Sequence, residues 1–271
     1  MSMPTLKLRN AINRRIDMSS FIPELIGSKS ADEIARIPLW YGNRQVETGE
    51  LFEINDSTSE TLLIHSDSNK LDRIGANMAG GSIFVEGNAG AYLGCAMRSG
   101  VIKVTGDTGL AAGCAMRAGE LTIDGNAGDF LGGALTGERQ GMRGGRILVK
   151  GNAGDRAGDL MRRGTILIAG DSGDYCASRM VAGTIVVAGQ CGRHTGTAMH
   201  RGTLITSDKP ASLPATFNSN GTHSLSFLSL LKKQLASMAD LSAISEIGTE
   251  VERWVGDLSC DGKGEILIWQ R

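Results

Sequence analysis

The chain has 271 residues and a formal net charge of −1, from 28 Lys and Arg against 29 Asp and Glu. This balance excludes the overall electrostatic field that recruits nucleic acid or an acidic membrane surface. We expect neither a secretory leader nor a membrane span, because no apolar stretch has the required length. The five cysteines form no CxxC pair, so we expect a reduced, cytoplasmic protein.

Two features of the composition are unusual. The chain contains 38 glycines, and only 4% of its residues are aromatic. Such a chain has few large side chains with which to build an ordinary core. Glycine enrichment without a period of three indicates a longer internal repeat.

The chain divides into three predicted parts. Residues 1–63 read as a flank of mixed strand and short helix, which caps the repeats. Residues 64–206 carry the repeats. Residues 207–271 read as a Pro/Ser/Asn-rich linker (207–221), an amphipathic helix within residues 223–238 and the apolar strand GEILIW (264–269). On the helix, Leu228, Leu231 and Leu235 share one face.

Six repeat units follow one glycine pattern, GxxGxxxG. Their first glycines are spaced by 19, 19, 26, 19 and 19 residues: Gly87, Gly106, Gly125, Gly151, Gly170 and Gly189. The second glycine comes three positions later: Gly90, Gly109, Gly128, Gly154, Gly173 and Gly192. The third comes four positions after that, with Ala177 replacing it in one unit: Gly94, Gly113, Gly132, Gly158 and Gly196.

Each unit then reaches a methionine and a closing glycine before a short aliphatic strand. The methionines are Met97, Met116, Met142, Met161, Met180 and Met199. A half-unit with Gly75, Met78 and Gly81 precedes them, and the long unit carries a seven-residue insertion, residues 135–141.

This period predicts a mainly β fold, a single-stranded parallel β-helix of about 19-residue coils with α/β flanks and a C-terminal helix. One strand per period does not suit hairpins, and the repeated glycines would disfavour helices. Equivalent positions would then stack about 4.8 Å apart. Methionines and aliphatic residues would fill a narrow core. A polar column would form a side-chain ladder at a turn: Asn88, Asp107, Asn126, Asn152, Asp171 and Gln190.

A second column is basic. Its members are Arg98, Arg117, Arg143 and Arg162, with Val181 and His200 at the next two equivalent positions. Stacked guanidinium groups repel one another, so we expect acidic groups close to them. These groups belong either to the internal column Asp129, Asp155 and Asp174, or to an acidic partner or polyanionic ligand. The sequence leaves three uses open for these arginines: structural pairing, partner binding and ligand binding.

The remaining candidates for chemistry are weak. Cys95 and Cys114 occupy equivalent positions, where stacked small residues explain them as well as a disulfide would. The four histidines (His65, His194, His200 and His223) lack metal-ligand spacing. The glycine turns lack the GK[ST] ending of a phosphate loop. We expect no catalytic residues and no metal on this chain.

The GxxGxxxG units resemble the β-helix domain of the glutamate synthase large subunit. More closely, they resemble the C subunit of formylmethanofuran dehydrogenase and that of its bacterial relative, the formyltransferase/hydrolase complex. The stretch IARIPLWYGNRQVETGELFEI (34–54) is also similar to the segment before the repeats in those C subunits, so the resemblance covers roughly residues 34–205. It implies a right-handed β-helix.

The resemblance also implies a function. The chain would be a non-catalytic scaffold, with amidohydrolase-like, formyltransferase and dehydrogenase-like subunits as partners. The complex would move a formyl group between tetrahydromethanopterin and a methanofuran-type cofactor in methylotrophic one-carbon metabolism and release formate, with the metal in another subunit. The furan cofactor carries a glutamate-rich tail, which the arginine column could guide.

Three alternatives stay open on the sequence. The first is the C subunit of an archaeal molybdenum or tungsten formylmethanofuran dehydrogenase. The second is a free-standing β-helix enzyme acting on glycans, which would place acids in an open groove. The third is a structural protein that associates with copies of itself.

Overall fold

The computed structural model describes residues 3–55, 59–236 and 248–269. The chain is mainly β, with one large, mostly parallel sheet and few helices. Within the described residues, no helix combines the length and apolar character that crossing a membrane requires.

The N-terminal flank mixes short strands and short helices, as predicted. Its elements are β1 (Thr5–Leu8), β2 (Ile16–Asp17), α1 (Pro23–Ile26), α2 (Ala31–Ala35), β3 (Pro38–Tyr41), β4 (Arg44–Glu47), α3 (Thr48–Leu51) and β5 (Phe52–Ile54). Helix α2 begins at a capping box, in which the Ser30 hydroxyl accepts from the Glu33 backbone N–H and the Glu33 carboxylate accepts from the Ser30 backbone N–H.

The repeats supply parallel strands at regular intervals. They are β6 (Thr61–Ser66), β8 (Ser82–Gly87), β9 (Val101–Val104), β10 (Glu120–Ile123), β11 (Arg143–Val149), β12 (Arg163–Ile168), β13 (Thr184–Val187) and β14 (Thr203–Thr206). The short strand β7 (Leu71–Asp72) lies between β6 and β8 in the chain and pairs with β2 instead. Equivalent residues pair directly, so that Ile102 lies opposite Leu121, which lies opposite Ile147. The predicted aliphatic strands are therefore confirmed.

A second line of parallel contacts runs through the turns. Isolated bridges join Ala89 to Thr108, Thr108 to Ala127, and onward one unit at a time to Cys191. The predicted polar ladder is confirmed beside these bridges: the Asp107 N–H donates to Asn88 Oδ1 at 2.8 Å, and the Asn126 N–H donates to Asp107 Oδ1 at 2.7 Å. Each unit therefore contacts the next on two sides.

The core lies between these two lines of contact. Inward-facing aliphatic residues pack against the methionine column, and Met97, Met116, Met142, Met161, Met180 and Met199 are fully buried. Because aliphatic side chains and flexible thioethers pack densely, this core needs few aromatic residues.

Strands from the flanks cover both ends of the parallel sheet. At one end β1 pairs parallel with β6 and antiparallel with β5. At the other end the C-terminal segment adds β15 (Asn218–Ser224), β16 (Glu250–Gly256) and β17 (Gly264–Trp269), with β17 parallel to β14. The expectation that the flanks cover the open edges is confirmed.

The C-terminal helix begins later than predicted. Helix α4 covers Phe227–Ala236, and residues 237–238 of the predicted helix lie outside the described residues. His223 and part of the predicted linker belong instead to β15, because they pair with β16 about 30 residues later. Leu228 and Leu235 of α4 are buried against the outer face of the sheet, and Leu231 is partly buried there.

The four-stranded second sheet has the order β4-β3-β2-β7 and joins the flank to the first repeat. The insertion at residues 135–141 leaves the repeat as an exposed turn and returns where the Gly141 N–H donates to the Leu160 carbonyl at 2.9 Å. Because the insertion loops outward, the parallel pairing of β10 with β11 is preserved.

Candidate functional site

The predicted arginine column lies along one side of the repeats. Each arginine backbone N–H donates to the methionine carbonyl of the preceding unit: Arg98 to Met78 at 2.7 Å, Arg117 to Met97 at 2.8 Å, Arg143 to Met116 at 2.7 Å and Arg162 to Met142 at 2.8 Å. These contacts bring the four residues together one unit apart. The strand register adds a fifth arginine, since Arg143 pairs with Arg163 rather than with Arg162.

The arginines differ in their surroundings. Arg98, Arg117 and Arg162 are exposed, and the described residues place no acidic side chain within 4.0 Å of them. Arg143 is half-buried, and its guanidinium lies 3.4 Å from the Glu138 carboxylate of the insertion. The column is thus a run of exposed positive charge with one internally paired member.

The internal acidic column does not neutralise these arginines. Asp129 Oδ1 accepts the Asp155 N–H at 2.8 Å, and Asp155 Oδ1 accepts the Asp174 N–H at 2.7 Å. The carboxylates therefore satisfy backbone donors in successive turns, which is a structural use. The sequence leaves two sources of acidic groups for the arginines, this internal column and an external partner or ligand. The internal column does not contact the arginines.

One acid is buried elsewhere on the repeats. Asp159 is 2% exposed and accepts from Ser178 Oγ and Arg179 Nε, each at 2.9 Å. The Arg179 side chain is about half exposed, so its guanidinium lies between the buried carboxylate and solvent. The sequence pattern did not predict this cluster. Asp159 and Ser178 occupy equivalent positions in successive units, but no other unit has Asp or Ser at that position.

Sequence reasoning also missed an open cavity of about 830 Å³ where the N-terminal flank meets the first repeats. Lys7, His65, Lys70 and Glu86 contribute to its lining, and His65 Nδ1 lies 2.8 Å from Glu86 Oε2. The cavity forms because β1 pairs with β6 across more than 50 residues of sequence. No sequence pattern marked it.

The cysteines and histidines form no metal site within the described ranges, where no group of three metal-ligating side chains converges. All five cysteines are unpaired thiols. A hydrogen bond between the Cys95 and Cys114 thiols lowers the pKa of Cys95. The same hydrogen bond, together with burial, raises the pKa of Cys114. His194 stacks on Tyr175, and His223 contacts the Asn220 carbonyl.

Similarity to known proteins runs along the same repeats. Residues 55–241 match the GXGXG motif family. The chain is 42% identical over 91 residues to the C subunit of the formyltransferase/hydrolase complex Fhc of Methylorubrum extorquens, an alignment covering 34% of each chain. It is 37% identical over 90 residues to the C subunit of the molybdenum-containing formylmethanofuran dehydrogenase 1 of Methanosarcina barkeri, covering 31% of this chain and 30% of that one.

These alignments span only about a third of the curated relatives they match. The structural match is broader. A chain in the crystal structure of the formyltransferase/hydrolase complex FhcABCD from Methylorubrum extorquens, solved in complex with methylofuran, superposes with a TM-score of 0.92. That chain is 40% identical, and the match covers 97% of this chain and 98% of that one. The protein therefore belongs to the GXGXG motif family, and its repeats are similar to those of C subunits from formyltransferase/hydrolase and formylmethanofuran dehydrogenase complexes.

Proposed function

We propose that this chain is the non-catalytic scaffold subunit of a formyltransferase/hydrolase complex. The complex moves a formyl group between tetrahydromethanopterin and a methanofuran-type cofactor and releases formate. The observation that carries the proposal is the match to a chain of the FhcABCD complex over 97% of this chain. The shared structure includes both flanks as well as the repeats.

The proposed partners are an amidohydrolase-like, a formyltransferase and a dehydrogenase-like subunit. Catalysis and the metal belong to those partners, and the furan cofactor acts between them. Five unpaired thiols on this chain are in keeping with a reducing, cytoplasmic setting for the assembly.

The repeats are proposed to wind as a right-handed single-stranded β-helix over residues 64–206, between the parts 1–63 and 207–271. Two lines of parallel contact with the same one-unit step support the winding. The right hand comes from the family resemblance. A rigid rod of this kind offers long faces to several partners at once, which suits a scaffold.

The arginine column is proposed as a docking face for an acidic neighbouring subunit or for the glutamate-rich tail of the cofactor. Support comes from the exposure of Arg98, Arg117 and Arg162 and from the absence of acids near them among the described residues. Unpaired guanidinium groups spaced one unit apart suit carboxylates that repeat along a chain or a surface.

Co-expression with the partner subunits tests the scaffold. The complete set is expected to purify as one complex with formyl-transfer activity, and omission of this chain is expected to leave separate, weakly active subunits. The isolated chain is expected to be inactive. Full assembly without this chain would contradict the proposal.

The docking face is tested with Arg98→Ala/Arg117→Ala in the same assembly. Weaker assembly or slower transfer is expected, most clearly at low salt, where charges are least screened. Arg193→Ala is the matched control, since Arg193 is also exposed but lies on another column. Unchanged assembly and unchanged rates at low salt would remove the docking role.

A second candidate is the C subunit of an archaeal formylmethanofuran dehydrogenase, favoured by 37% identity to the Methanosarcina barkeri protein. Co-purification with a molybdenum or tungsten oxidoreductase would select it. The glycan-active alternative draws no support from the Asp129, Asp155 and Asp174 column, whose carboxylates accept backbone N–H groups.

A further inference from the structure

Two cysteines occupy the same position in neighbouring units. Cys95 and Cys114 each lie eight residues after the first glycine of their unit. At that position the other four units carry Gly133, Asp159, Ser178 and Thr197. This single step of the repeat therefore places one thiol next to another at equivalent positions.

The backbone holds these two cysteines in register. The Ala96 N–H donates to the Cys114 carbonyl at 2.8 Å, and the Asn77 N–H donates to the Cys95 carbonyl at 2.8 Å. Because these bonds run from unit to unit, the Cα atoms of Cys95 and Cys114 lie about 4.8 Å apart, the spacing of adjacent strands. Disulfides join Cα atoms that are about 4.4–6.8 Å apart. The spacing of the units is therefore already within the range of a disulfide.

The two side chains also start from the same local backbone. The glycine before and the alanine after Cys95 have φ values of 59° and 53°, and the matching residues around Cys114 have 64° and 52°. Equal flanking conformations in two stacked units direct the two Cα–Cβ bonds the same way. The thiols are close enough to share a hydrogen bond. No rearrangement of the turn is needed to bring the sulfurs together.

The two thiols differ in their access to solvent. Cys95 is half-buried, whereas Cys114 is fully buried. A dissolved oxidant therefore meets the Cys95 sulfur first. The hydrogen bond from Cys114 and the nearby Arg73 guanidinium lower the pKa of Cys95, which favours its thiolate, the form that reacts with peroxide. An accessible thiolate beside a second cysteine is the arrangement found in redox-sensing proteins.

The other cysteines lack one half of this arrangement. Cys176 and Cys191 also share a hydrogen bond, but they are only 0% and 3% exposed. Cys260 is half-buried like Cys95, but its thiol contacts backbone carbonyls and no second thiol within the described residues. Access and an adjacent thiol therefore coincide only at Cys95 and Cys114.

We propose that Cys95 and Cys114 form a reversible oxidation site, at which hydrogen peroxide converts the two thiols into a disulfide that joins the first two full units. The Cys95 thiolate attacks one peroxide oxygen, the O–O bond breaks and hydroxide leaves, so that Cys95 becomes a sulfenic acid. The Cys114 sulfur then attacks the Cys95 sulfur, the S–O bond breaks, and the leaving hydroxide takes the Cys114 proton to become water.

The electrons and atoms of this reaction balance without any other reactant. The two thiols together lose two electrons and two protons, and one hydrogen peroxide is reduced to two waters. A dithiol reductant returns both cysteines to thiols by exchange. The inference does not rest on the proposed scaffold role, since it uses only two side chains of this protein and an oxidant from solution.

The test treats the reduced full chain with hydrogen peroxide and maps the disulfides by tryptic digestion without reductant. Trypsin places the two cysteines on separate peptides, residues 74–98 and 104–117. We expect these peptides to appear joined, with the mass of two hydrogens missing, and to separate after treatment with dithiothreitol. Cys176 and Cys191 are the matched control, because burial should slow their oxidation by at least about tenfold.

Two variants separate the roles of the two thiols. Cys114→Ala removes the second thiol and is expected to leave the sulfenic acid on Cys95, detected as a dimedone adduct about tenfold more abundant than in the parent. Cys95→Ala is expected to leave the buried Cys114 reduced. A parent digest without the joined peptides, or equally fast joining of Cys176 and Cys191, would overturn the proposal. The parent digest decides this even where a variant fails to fold.

Discussion

The methyl end of Met97 occupies the space that a side chain on Gly119 would need. A Cβ atom added to Gly119 would lie 2.6 Å from Met97 Cε, and the Gly119 φ is 94°. The same relationship joins each methionine to the closing glycine of the next unit, from Met78 and Gly100 to Met180 and Gly202. The recurring methionine therefore requires the recurring closing glycine, because the two pack directly against each other in successive units.

Gly119→Ala is expected to destabilise the protein by about 2–4 kcal/mol, because it combines backbone strain with a clash in a close-packed core. Urea denaturation measures the change. Gly80→Ala is the matched control: a Cβ there meets nothing within 4 Å, and its φ is ordinary. Equal effects of the two substitutions would contradict the packing explanation.

The Asp159–Arg179 pair is expected to respond asymmetrically to substitution. Arg179→Ala leaves a buried carboxylate without its cation and should cost about 3 kcal/mol, whereas Asp159→Asn leaves an arginine that can turn to water and should cost less. The double variant should therefore be more stable than Arg179→Ala alone. Denaturation of the three variants measures this order, and a larger loss in Asp159→Asn than in Arg179→Ala would refute it.

Asp257 is expected to make stability depend on pH in acid. Burial alone would raise the pKa of this carboxyl, but hydrogen bonds from Thr216, Ser259 and the Ala198 N–H outweigh it and lower the pKa to about 2. Because this pKa is lower in the folded state than in the unfolded state, where it is near 4, the ionised carboxylate stabilises the folded protein at pH values above about 4. This contribution disappears as the pH falls from about 4 to 2. It amounts to about 2 kcal/mol.

Asp257→Asn should remove this dependence. The difference in unfolding free energy between parent and variant should shrink between pH 4 and pH 2, as measured by urea denaturation at each pH. A constant difference across that window would show that the Asp257 charge does not contribute.

Cys95 is expected to be the first cysteine alkylated by iodoacetamide. Its thiol is half-buried, and the hydrogen bond with Cys114 lowers its pKa, whereas burial raises the pKa of the similarly accessible Cys260. The thiolate is the reacting form, so the lower pKa gives the faster reaction. Peptide mass spectrometry over time measures the order, with Cys95→Ala expected to lose the fastest step; earlier labelling of Cys260 would contradict it.

Much of the fold was predictable because the repeat is local. Glycine spacing, one aliphatic strand per period and a buried methionine in each unit predict parallel strands in register, and Ile102, Leu121 and Ile147 pair as expected. The arginine column followed from the same register. The functional role of the column was not predictable, because the exposure of each arginine and its nearest acid depend on how the insertion and the neighbouring units fold around it.

The sequence by itself determined the period, the stacking of equivalent residues and the identity of the core, since each unit meets only a copy of itself. Only the tertiary structure decided which contacts form between segments that do not share the repeat. It pairs β1 with β6 at one end of the repeats and β14 with β17 at the other. These features depend on distances between residues far apart in the chain, and a repeat pattern carries no information about them.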